Sequence, residues 1–325
     1  MNRREMLTGC AALGLGTALI SQPLIPWYRK DVRPKLSRVA VLAVSRYSNK
    51  LDRVLMEGLN LFKLDIRGKS VLLKPNLVEY ISGKEATTNP ILVGAAAECF
   101  LRLGARSVVV AEGSGHERDT EQLLWETGLK DELIHRGVKF VDLNRDDLIK
   151  TKLAADYSGL AHLWLPRTVL EFDFVVSMPK VKTHHWAGVT LSMKNMFGIV
   201  PGLRYGWPKN LLHWHGIHES ILDICATVPI HFVIADGILA MEGNGPLHGT
   251  TRQLGALVLA DDPVAADSRI VRLMGLLPDR IKHIKQADYF LGNATSEKIQ
   301  EIGESIAGFS QSEEDKRGRL ATPVG

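Results

Sequence analysis

Short apolar runs recur along this chain at intervals that suit a buried sheet. Each run is nearly continuous and lacks the polar alternation of a strand with one face in water, which is typical of strands covered on both faces. The predicted strands are Arg38–Val44, Ser70–Leu73, Ser107–Ala111, Phe140–Asp142, Phe174–Ser177, His231–Ala235 and Ala256–Leu259.

Apolar residues at helical spacing fill the segments between these strands. The predicted helices are Leu51–Phe62, Pro90–Leu103, Thr120–Leu129, Ile217–Thr227 and Pro263–Met274. Asn89 followed by Pro90 is typical of a helix start, and Gly104 is typical of a helix end. The alternation predicts an α/β fold with a mainly parallel sheet, helices on both faces and a Rossmann-like succession of right-handed crossovers.

Polar segments that contain glycine or proline follow four of the predicted strands. They are Lys74–Leu77, Glu112–His116, Met178–His184 and Asp236–Pro246. Ligands of open α/β sheets bind beyond the carboxyl ends of the strands, so we expect these loops to converge on one site. Residues 186–216 combine proline, glycine and aromatic residues without clear periodicity, which predicts a lid or a crossover excursion.

The composition is that of a globular protein. With 325 residues, 45% hydrophobic and 23% charged, the chain is long enough for one large domain or two smaller ones. We expect one α/β domain over residues 36–300 and a polar tail over residues 310–325 that frays. The net charge of +4 is too small for a general nucleic-acid binder, so no nucleic-acid partner is expected.

Residues 1–27 have the layout of a twin-arginine export leader. Arg3 and Arg4 precede the apolar stretch Leu7–Ile20, which is short for a permanent membrane span. The predicted partner is the twin-arginine (Tat) export machinery, and the predicted location is the periplasm or the outer face of the membrane. No Ala-x-Ala site follows, so cleavage near residues 21–26 and retention as a membrane anchor both remain open. Contact with the membrane is expected only if the leader is retained.

Cysteine usage argues against an iron–sulfur cluster. Beyond the leader the cysteines are Cys99 and Cys225, each in an apolar helical context where a small buried thiol is the usual role. No C-x-x-C spacing occurs, so the cysteines provide neither an iron–sulfur nor a structural zinc site. A protein that folds before export can take up a divalent metal or another cofactor in the cytoplasm, and the identity of any such group is open.

A stretch without acidic residues carries most of the candidate chemistry. Between Phe174 and His218 there is no Asp or Glu, but there are five Lys or Arg residues and five of the eleven histidines. Exposed surfaces normally mix both signs of charge, so this stretch predicts one wall of an anion-binding cleft. Ammonium and hydroxyl groups suit a carboxylate or phosphate, and the predicted anion ligands are Lys74, Lys180, Lys182, Thr183, Thr190 and Lys194. The alternative is that some of these lysines extend from a loop into solvent.

A histidine in this stretch is the candidate acid or base. We expect His184 to be a neutral imidazole, because Lys180 and Lys182 repel its additional proton. Lys182 and Asp236 complete the predicted catalytic group.

Further histidines suggest a metal site. His215 and His218, with Glu242 as the carboxylate, are the candidate ligands, since a mixed histidine–carboxylate set suits transition metals. Their spacing matches no metal motif. Loop histidines that make ordinary hydrogen bonds are the alternative.

Two glycine-containing segments are candidate ligand contacts. Glu112–His116 is similar to a phosphate-binding turn but lacks the third glycine of a dinucleotide fingerprint, so a bound nucleotide cofactor and a plain tight turn both remain open. Gly243 and Gly245 give the backbone freedom to approach a ligand closely, and both are predicted binding residues.

Several segments together resemble the domain-of-unknown-function 362 family. They are Leu73–Leu77, Thr88–Pro90, Glu112–Ser114, Pro179–His184, Thr190–Gly198, Asp236–Gly237, Met241–Pro246, Asp262–Asp267 and Leu273–Gly275, and they cover about residues 36 to 290 in the family's order. The resemblance implies site roles for Asp262 and Asp267, although Asp262 by its position before Pro263 is also a helix cap.

Asn76 and Asn195 lie in two of the matching segments and are added to the predicted binding residues. Some members of the family contain ferredoxin-like iron–sulfur modules, whose cysteines this chain lacks. The resemblance therefore implies no electron-transfer role here, and it carries no assigned reaction.

The leading hypothesis is an exported enzyme that acts on a small anionic substrate. A redox or isomerisation reaction with a preloaded cofactor suits export after folding. The alternative is a noncatalytic periplasmic protein that binds an anionic ligand or cofactor in the same cleft.

Overall fold

Twelve strands and eleven α-helices are formed by residues 31–303, the part of the chain that the structure, a computed structural model, describes. The strands are β1 (Ser37–Ala43), β2 (Ser70–Pro75), β3 (Ser107–Glu112), β4 (Lys139–Asp142), β5 (Leu148–Lys152), β6 (His162–Pro166), β7 (Phe174–Met178), β8 (Lys180–His184), β9 (Gly188–Thr190), β10 (Phe232–Glu242), β11 (Thr250–Ala260) and β12 (Ile299–Glu301). The α-helices are α1 (Leu51–Asn60), α2 (Pro90–Arg102), α3 (Thr120–Glu126), α4 (Leu129–His135), α5 (Arg167–Glu171), α6 (Ser192–Asn195), α7 (Gly202–Tyr205), α8 (Asn210–Trp214), α9 (Ile217–Thr227), α10 (Pro263–Leu273) and α11 (Lys282–Ala287). Short 3₁₀ helices cover Met196–Ile199, Pro278–Arg280 and Ser296–Lys298. The predicted leader and tail lie outside the described residues.

Ten of these strands form the central sheet. Eight follow one another in the order β12-β1-β11-β10-β7-β2-β3-β4, while β8 pairs with β10 and β9 pairs with β8. The neighbours from β10 to β4 are parallel, and β11 runs antiparallel to both β10 and β1. A short connection joins β10 to β11, and short connections can join only antiparallel neighbours. The predicted α/β fold with a mainly parallel sheet is confirmed.

Helices cover both faces of the sheet, as predicted. Strand β2 shows why its apolar run is continuous, because Leu72 faces one hydrophobic core and Leu73 faces the other. Side chains of α9, α10 and α11 belong to the first core, and side chains of α1, α2, α3 and α4 belong to the second. Alternate residues point to opposite faces of a strand, so a strand buried between two helix layers needs apolar residues at every position.

The predicted helices are present, with one correction to their bounds. The segment predicted as one helix over Thr120–Leu129 forms two, since α3 ends at Glu126 and α4 begins at Leu129. Gly128 between them has a φ of 76°, a left-handed conformation that a continuous right-handed helix does not contain. Among residues 31–303, no helix has the length and apolar character needed to cross a membrane.

Two segments predicted as loops at strand ends are strands instead. Pro179 alone separates β7 from β8, and β10 continues through Asp236 to Glu242. The two extensions pair with each other, with Asp236 opposite Lys180 and Met241 opposite Lys182 across an irregular register. This mutual pairing satisfies backbone groups of both segments, and it is a long-range contact that neither segment reveals alone.

The stretch over residues 186–216 crosses the carboxyl ends of the central strands. It folds into β9, α6, the first 3₁₀ helix, α7 and α8, each five residues or fewer. Lengths this short explain why no helical or strand periodicity is visible there. The excursion brings α6 against β7 and α10, which places Lys194 beside the strand ends.

The buried cap of α10 provides a test of the fold. Asp262 accepts hydrogen bonds from Val264 N (2.8 Å), Ser37 Oγ (2.6 Å) and Asn293 N (2.8 Å), so its predicted capping role is confirmed. We expect Asp262→Ala to lower the free energy of unfolding by about 2 to 4 kcal/mol, since a cap contributes about 1 kcal/mol and buried groups lose their partner. Urea unfolding measures this. Asp119→Ala removes the exposed cap of α3 as a control, with an expected loss of about 1 kcal/mol. Equal losses of unfolding free energy in the two variants would show that the buried contacts of Asp262 add nothing to an ordinary helix cap.

Candidate functional site

A cavity of about 350 Å³ lies at the carboxyl ends of β2, β3, β8 and β10. It is lined by Asn76, Leu77, Val78, Glu112, Gly113, Gly115, His116, His184, His185, Trp186, Thr190, Lys194, Asn195, Phe197, Gly198, Pro208, Lys209, His213, Asn244, Gly245, Pro246, Leu247 and His248. All four predicted segments and the 186–216 excursion contribute. Six predicted binding or catalytic residues are brought together here, namely Asn76, His184, Thr190, Lys194, Asn195 and Gly245.

A buried ion pair forms the base of this cavity. Lys74 Nζ lies 2.5 Å from Glu112 Oε2 and also donates to Pro75 O and Asn195 Oδ1. The Glu112 carboxylate additionally accepts from Leu77 N and Gly113 N. The ammonium of Lys74 is therefore fully used inside the protein, and its predicted role as a direct anion ligand is wrong.

Gly198 closes over this ion pair. A Cβ atom at Gly198 would collide with Glu112 Oε1 and Lys74 Nζ. The carbonyl oxygen of Gly198 in turn lies so close to Gly113 that a Cβ atom at Gly113 would collide with it. The 3₁₀ helix that contains Gly198 can lie this close only because the residue has no side chain. The excursion is thus held directly on the strand ends.

Helix α6 is fixed from below by a buried carboxylate. Asp267 accepts from Ser192 N (2.7 Å), Ser192 Oγ (2.5 Å) and Met193 N (3.1 Å). Burial raises the pKa of Asp267 to about 7. Asp267 therefore positions α6, and it does not line the cavity. The site roles that the resemblance implied for Asp262 and Asp267 are structural.

Asn195 connects α6 to the central strands. Its Nδ2 donates to Lys74 O at 3.0 Å and to Ser177 Oγ at 3.1 Å, while its Oδ1 accepts from Lys74 Nζ. With both ends of the amide used by protein groups, Asn195 lines the cavity as a positioning residue.

Lys194 is the lysine that remains available to a ligand. Within residues 31–303 its ammonium has no hydrogen-bond or ion-pair partner, and its contact is the face of the Phe197 ring, 4.2 Å from Nζ to the centroid. Burial, together with the nearby charge of Lys74, lowers the pKa of Lys194 to about 8. The residue is partly exposed to the cavity.

His184 is neutral, as predicted, but its hydrogen bonds change its role. Burial and then the charge of Lys194 lower its pKa to about 2. Its Nδ1 accepts from the backbone amides of Trp186 (3.1 Å) and Ala187 (3.2 Å), so the proton of the neutral ring is on Nε2. A ring in this tautomer donates a hydrogen bond and cannot accept a proton at Nε2. The predicted role of His184 as a base is therefore wrong, and the residue is a hydrogen-bond donor.

Lys180 and Asp236 belong to a separate buried network. Lys180 Nζ contacts Asp236 Oδ2 (3.2 Å) and Glu85 Oε2 (2.7 Å), and it donates to Tyr47 Oη (2.8 Å). Tyr47 Oη in turn donates to Asp236 Oδ1 at 2.7 Å. Both Lys180 and Asp236 are fully buried and lie outside the cavity lining, so neither fills its predicted catalytic or anion-binding role.

Lys182 is also fully buried and outside the lining. Its Nζ donates to Ala86 O at 2.6 Å. Burial, with the charges of Lys194 and Lys180, lowers the pKa of Lys182 well below its ordinary value. The structure does not place it as a ligand contact, because strand β8 directs it toward the loop after β2.

The proposed metal ligands do not come together. Glu242 pairs with Arg252 at 2.9 Å, His215 Nδ1 lies 2.9 Å from Ser158 O, and His218 Nδ1 lies 2.9 Å from Nδ1 of His283. In the described part of the chain, no group of three or more His, Cys, Asp or Glu side chains is arranged to hold a metal ion. The prediction that His215, His218 and Glu242 form one metal site is therefore wrong, because each of these side chains has its own protein partner.

The two predicted glycines differ in position. Gly245 lines the cavity, where a Cβ would collide with Thr183 O, and its carbonyl accepts from His185 N. Gly243 instead accepts from Thr183 Oγ1 at 2.9 Å, and both of those residues lie outside the lining. The close approach predicted for this loop therefore involves Gly245 rather than Gly243 or Thr183.

The glycine-rich segment after β3 has an irregular backbone that bends over residues 115–117. The amide of Gly113 donates to the Glu112 side chain, and Ser114 Oγ donates to His116 O. These donors are used within the segment and do not form a phosphate cradle. A nucleotide cofactor at this segment stays a prediction.

Sequence reasoning missed Lys209 as a cavity residue. Its Nζ donates to three carbonyl oxygens, Gly113 O (3.1 Å), Phe197 O (3.0 Å) and Gly198 O (3.2 Å). Burial lowers its pKa to about 7, while three acceptors can all be satisfied only by an ammonium. Its place in the acid-free stretch was the available signal. Three histidines also line the cavity: His213 lies in the same stretch and His116 in the segment after β3, whereas His248 carried no such signal.

Three buried polar atoms at the cavity lack partners. Among the described residues, Asn76 Oδ1, Thr190 Oγ1 and His116 Nδ1 are buried without a hydrogen bond. Asn76 is held by its backbone, which exchanges hydrogen bonds with Thr88. Buried polar groups in native proteins are normally paired, so their concentration at one cavity indicates a place for a polar ligand or water.

Residues 71–272 match the family described as "Domain of unknown function (DUF362)". A thylakoid-associated protein of Synechocystis sp. is 30% identical over 234 residues, which are 66% of this chain and 65% of that protein. The chain thus spans slightly less than two thirds of this relative.

Two solved structures have a partial likeness to the fold. A Thermotoga maritima protein is 12% identical with a TM-score of 0.40, over 77% of this chain and 60% of that chain. The lactate racemase apoprotein of Thermoanaerobacterium thermosaccharolyticum is 11% identical with a TM-score of 0.45, over 79% and 58%. No function of this chain follows from likeness at this level.

The ion pair at the base of the cavity can be tested by substitution. We expect Lys74→Met to lower the free energy of unfolding by about 3 to 5 kcal/mol, since it leaves the Glu112 carboxylate buried without its cation. The double variant Lys74→Met, Glu112→Gln should regain part of that loss. Chemical denaturation of wild type, both single variants and the double variant measures the coupling. Additive losses would show that the two side chains do not depend on each other.

Proposed function

The chain belongs to the family described as domain of unknown function 362, and we propose that it binds a small anionic ligand, a carboxylate or a phosphate, in the cavity at the strand ends. One observation carries this proposal. Among residues 31–303, the ammonium of Lys194 has no hydrogen-bond or ion-pair partner, and it shares the cavity with buried polar atoms that also lack a partner there, including Thr190 Oγ1. A ligand with anionic oxygens satisfies such groups.

The local charge balance supports an anion. Glu112 is the one carboxylate among the described lining residues, and the Lys74 ammonium already neutralises it. Lys194 and Lys209 leave the cavity positive. Lys194 is free to contact a ligand, whereas Lys209 is committed to backbone carbonyls.

The cavity that Lys194 lines also contains donors of the kind that orients an anion. Thr190 offers a hydroxyl, and neutral His184 offers Nε2–H. Asn76 Oδ1 is an acceptor, which suits a hydroxyl or other protonated group on the same ligand. The rest of the ligand can pack against an apolar wall of the cavity. This wall is formed by Leu77, Val78, Phe197, Pro246 and Leu247.

The leading form of the proposal is an enzyme. A neutral histidine that donates a hydrogen bond can polarise a carbonyl, and a lysine with a lowered pKa can exchange a proton near neutrality. These groups suit proton-transfer chemistry such as an isomerisation. A noncatalytic binder that uses the same contacts is the alternative, and ligand retention without turnover of any bound compound would favour it.

Anion binding tests the proposal directly. Titration calorimetry with inorganic phosphate and with acetate should show binding of at least one anion to the wild-type protein. Lys194→Met should weaken that binding about 10- to 100-fold, as expected for loss of a charged hydrogen bond. Binding should also weaken as pH rises through about 8, because the lowered pKa of Lys194 means that its positive charge is lost there.

A charge-matched control separates the site from general electrostatics. Lys150→Met removes one exposed positive charge on β5, outside the cavity lining, and should leave the affinity unchanged. Equal affinities of wild type and Lys194→Met, or equal losses in the two variants, would contradict the proposed site.

We also propose that residues 1–27 direct export by the twin-arginine route, to the periplasm or the outer face of the membrane. The arginine pair at residues 3 and 4 before the apolar stretch Leu7–Ile20 supports this proposal. The protein is attached to the membrane if the leader is retained.

Replacing Arg3 and Arg4 together by lysine should leave the precursor in the cytoplasm, because the route recognises the arginine pair. Fractionation and immunoblotting of a host with a working twin-arginine route measures the distribution. Arg145→Lys with Arg167→Lys, two conservative changes in the folded domain, is the control and should be exported normally. Export of the wild-type chain in a host without this machinery would disprove the proposal.

A further inference from the structure

We propose that the amine of Lys194 is a nucleophile that forms an imine with a carbonyl group of the ligand. The substrate class is then a small oxo compound that also carries a carboxylate or phosphate, such as a 2-oxo acid. This inference rests on the proposed anion site and adds covalent chemistry to it.

The position of Lys194 suits a nucleophile. Asp267 fixes the start of α6, and Asn195 fixes its end against β2 and β7, so the backbone of Lys194 is held on both sides. The amine itself has no hydrogen-bond partner among residues 31–303 and lies over the Phe197 ring at the cavity. A nucleophilic lysine needs this combination of a fixed main chain and an unoccupied amine.

The charge state of Lys194 supports the same role. Burial and the neighbouring charge of Lys74 lower its pKa to about 8, so both ammonium and free amine are populated near neutral pH. Desolvation and an adjacent cation are the general means by which proteins activate lysine amines. The ammonium form attracts the anion, and the amine form attacks the carbonyl.

The other buried lysines near the cavity are already occupied. Lys74 is bound to Glu112, Lys182 donates to Ala86 O outside the lining, and Lys209 donates to three carbonyl oxygens. None of these amines presents a free electron pair to the cavity. The structure therefore singles out one lysine.

Two groups of the same cavity can donate hydrogen bonds to the carbonyl oxygen of the ligand. His184 donates from Nε2–H and lines the same cavity as Lys194. The hydroxyl of Thr190 is buried at the same cavity and has no hydrogen-bond partner in the part of the chain that the structure describes. Both groups can stabilise negative charge that develops on that oxygen.

The covalent step balances without a further reagent. The Nζ electron pair attacks the carbonyl carbon, a C–N bond forms, and the C=O π electrons move to oxygen, which takes up a proton to give a carbinolamine. The oxygen then leaves as water, and the two hydrogens of the amine leave with it overall, so that C=N replaces C=O. Uptake of one proton gives an iminium, which keeps a positive charge beside the anion.

Reductive trapping of the full-length protein tests this inference. The protein is incubated with pyruvate and sodium cyanoborohydride, and modified peptides are quantified by mass spectrometry. We expect modification of Lys194 on the order of 100-fold faster at pH 7 than of exposed Lys150, because burial lowers the pKa of the Lys194 amine to about 8. With a probe that carries no anionic group, the rate at Lys194 should rise from pH 7 to 9 and then level off, whereas with pyruvate the loss of anion binding above about pH 8 should oppose that rise.

A variant separates the covalent step from anion binding. Lys194→Arg keeps the positive charge without a nucleophilic amine, so it should lose the adduct completely, and its phosphate affinity measures how much of the anion binding depends on charge alone. Formaldehyde with the same reductant is the second probe, since it carries a carbonyl but no anionic group. It should also modify Lys194 preferentially.

Each outcome separates the two proposals. If phosphate binds but formaldehyde modifies Lys194 no faster than Lys150, the imine is disproved and the anion site stands. If formaldehyde modifies Lys194 preferentially but pyruvate does not, the assigned substrate class is wrong. If Lys194 is modified but phosphate and acetate do not bind, the anion site fails and the nucleophile stands.

Discussion

The buried ion pair of Lys74 and Glu112 is the contact on which the cavity depends. The pair joins the ends of β2 and β3. The Glu112 carboxylate accepts hydrogen bonds from backbone amides of both strand-end segments, and the Lys74 ammonium donates to Asn195. Gly198 packs against the pair where no side chain fits, so the excursion is held to the sheet at the same point. A buried charge is costly without its partner. The strand ends and the excursion that contains α6 therefore depend on each other for their stability.

Charge compensation decides which lysine can act. The acid-free stretch contains four lysines. A carboxylate that neutralises one of them must come from elsewhere in the chain, and not every one of the four has such a partner among the described residues. Lys180 is neutralised by Asp236 and Glu85, and Lys209 is stabilised by carbonyl oxygens. Lys194 receives no such partner among the described residues. The resulting lowered pKa is a consequence of packing, and it makes the residue both the anion ligand and the candidate nucleophile.

His184 and Lys194 have complementary roles in the proposed chemistry. The two amides that donate to His184 Nδ1 fix a neutral donor, which cannot remove a proton but can hold a carbonyl oxygen. Lys194 supplies the amine in the same cavity. The predicted histidine base is therefore replaced by a polarising histidine beside a reactive lysine, a change of mechanism that follows from two backbone hydrogen bonds.

Local pattern was sufficient for the architecture. Continuous apolar runs such as Ser70–Leu73 and Ser107–Ala111 indicate strands covered on both faces, and helical spacing between them indicates the covering layers, so the α/β class and the location of the site at strand ends could be read from the sequence alone. Only the tertiary structure decided which polar residues reach the cavity. Lys180 and Lys194 look equivalent in sequence, but β8 turns the first toward Asp236, while Asp267 and Asn195 hold the second at the cavity. Burial, ion pairing and tautomer depend on neighbours far apart along the chain, and these neighbours exist only once the sheet has formed.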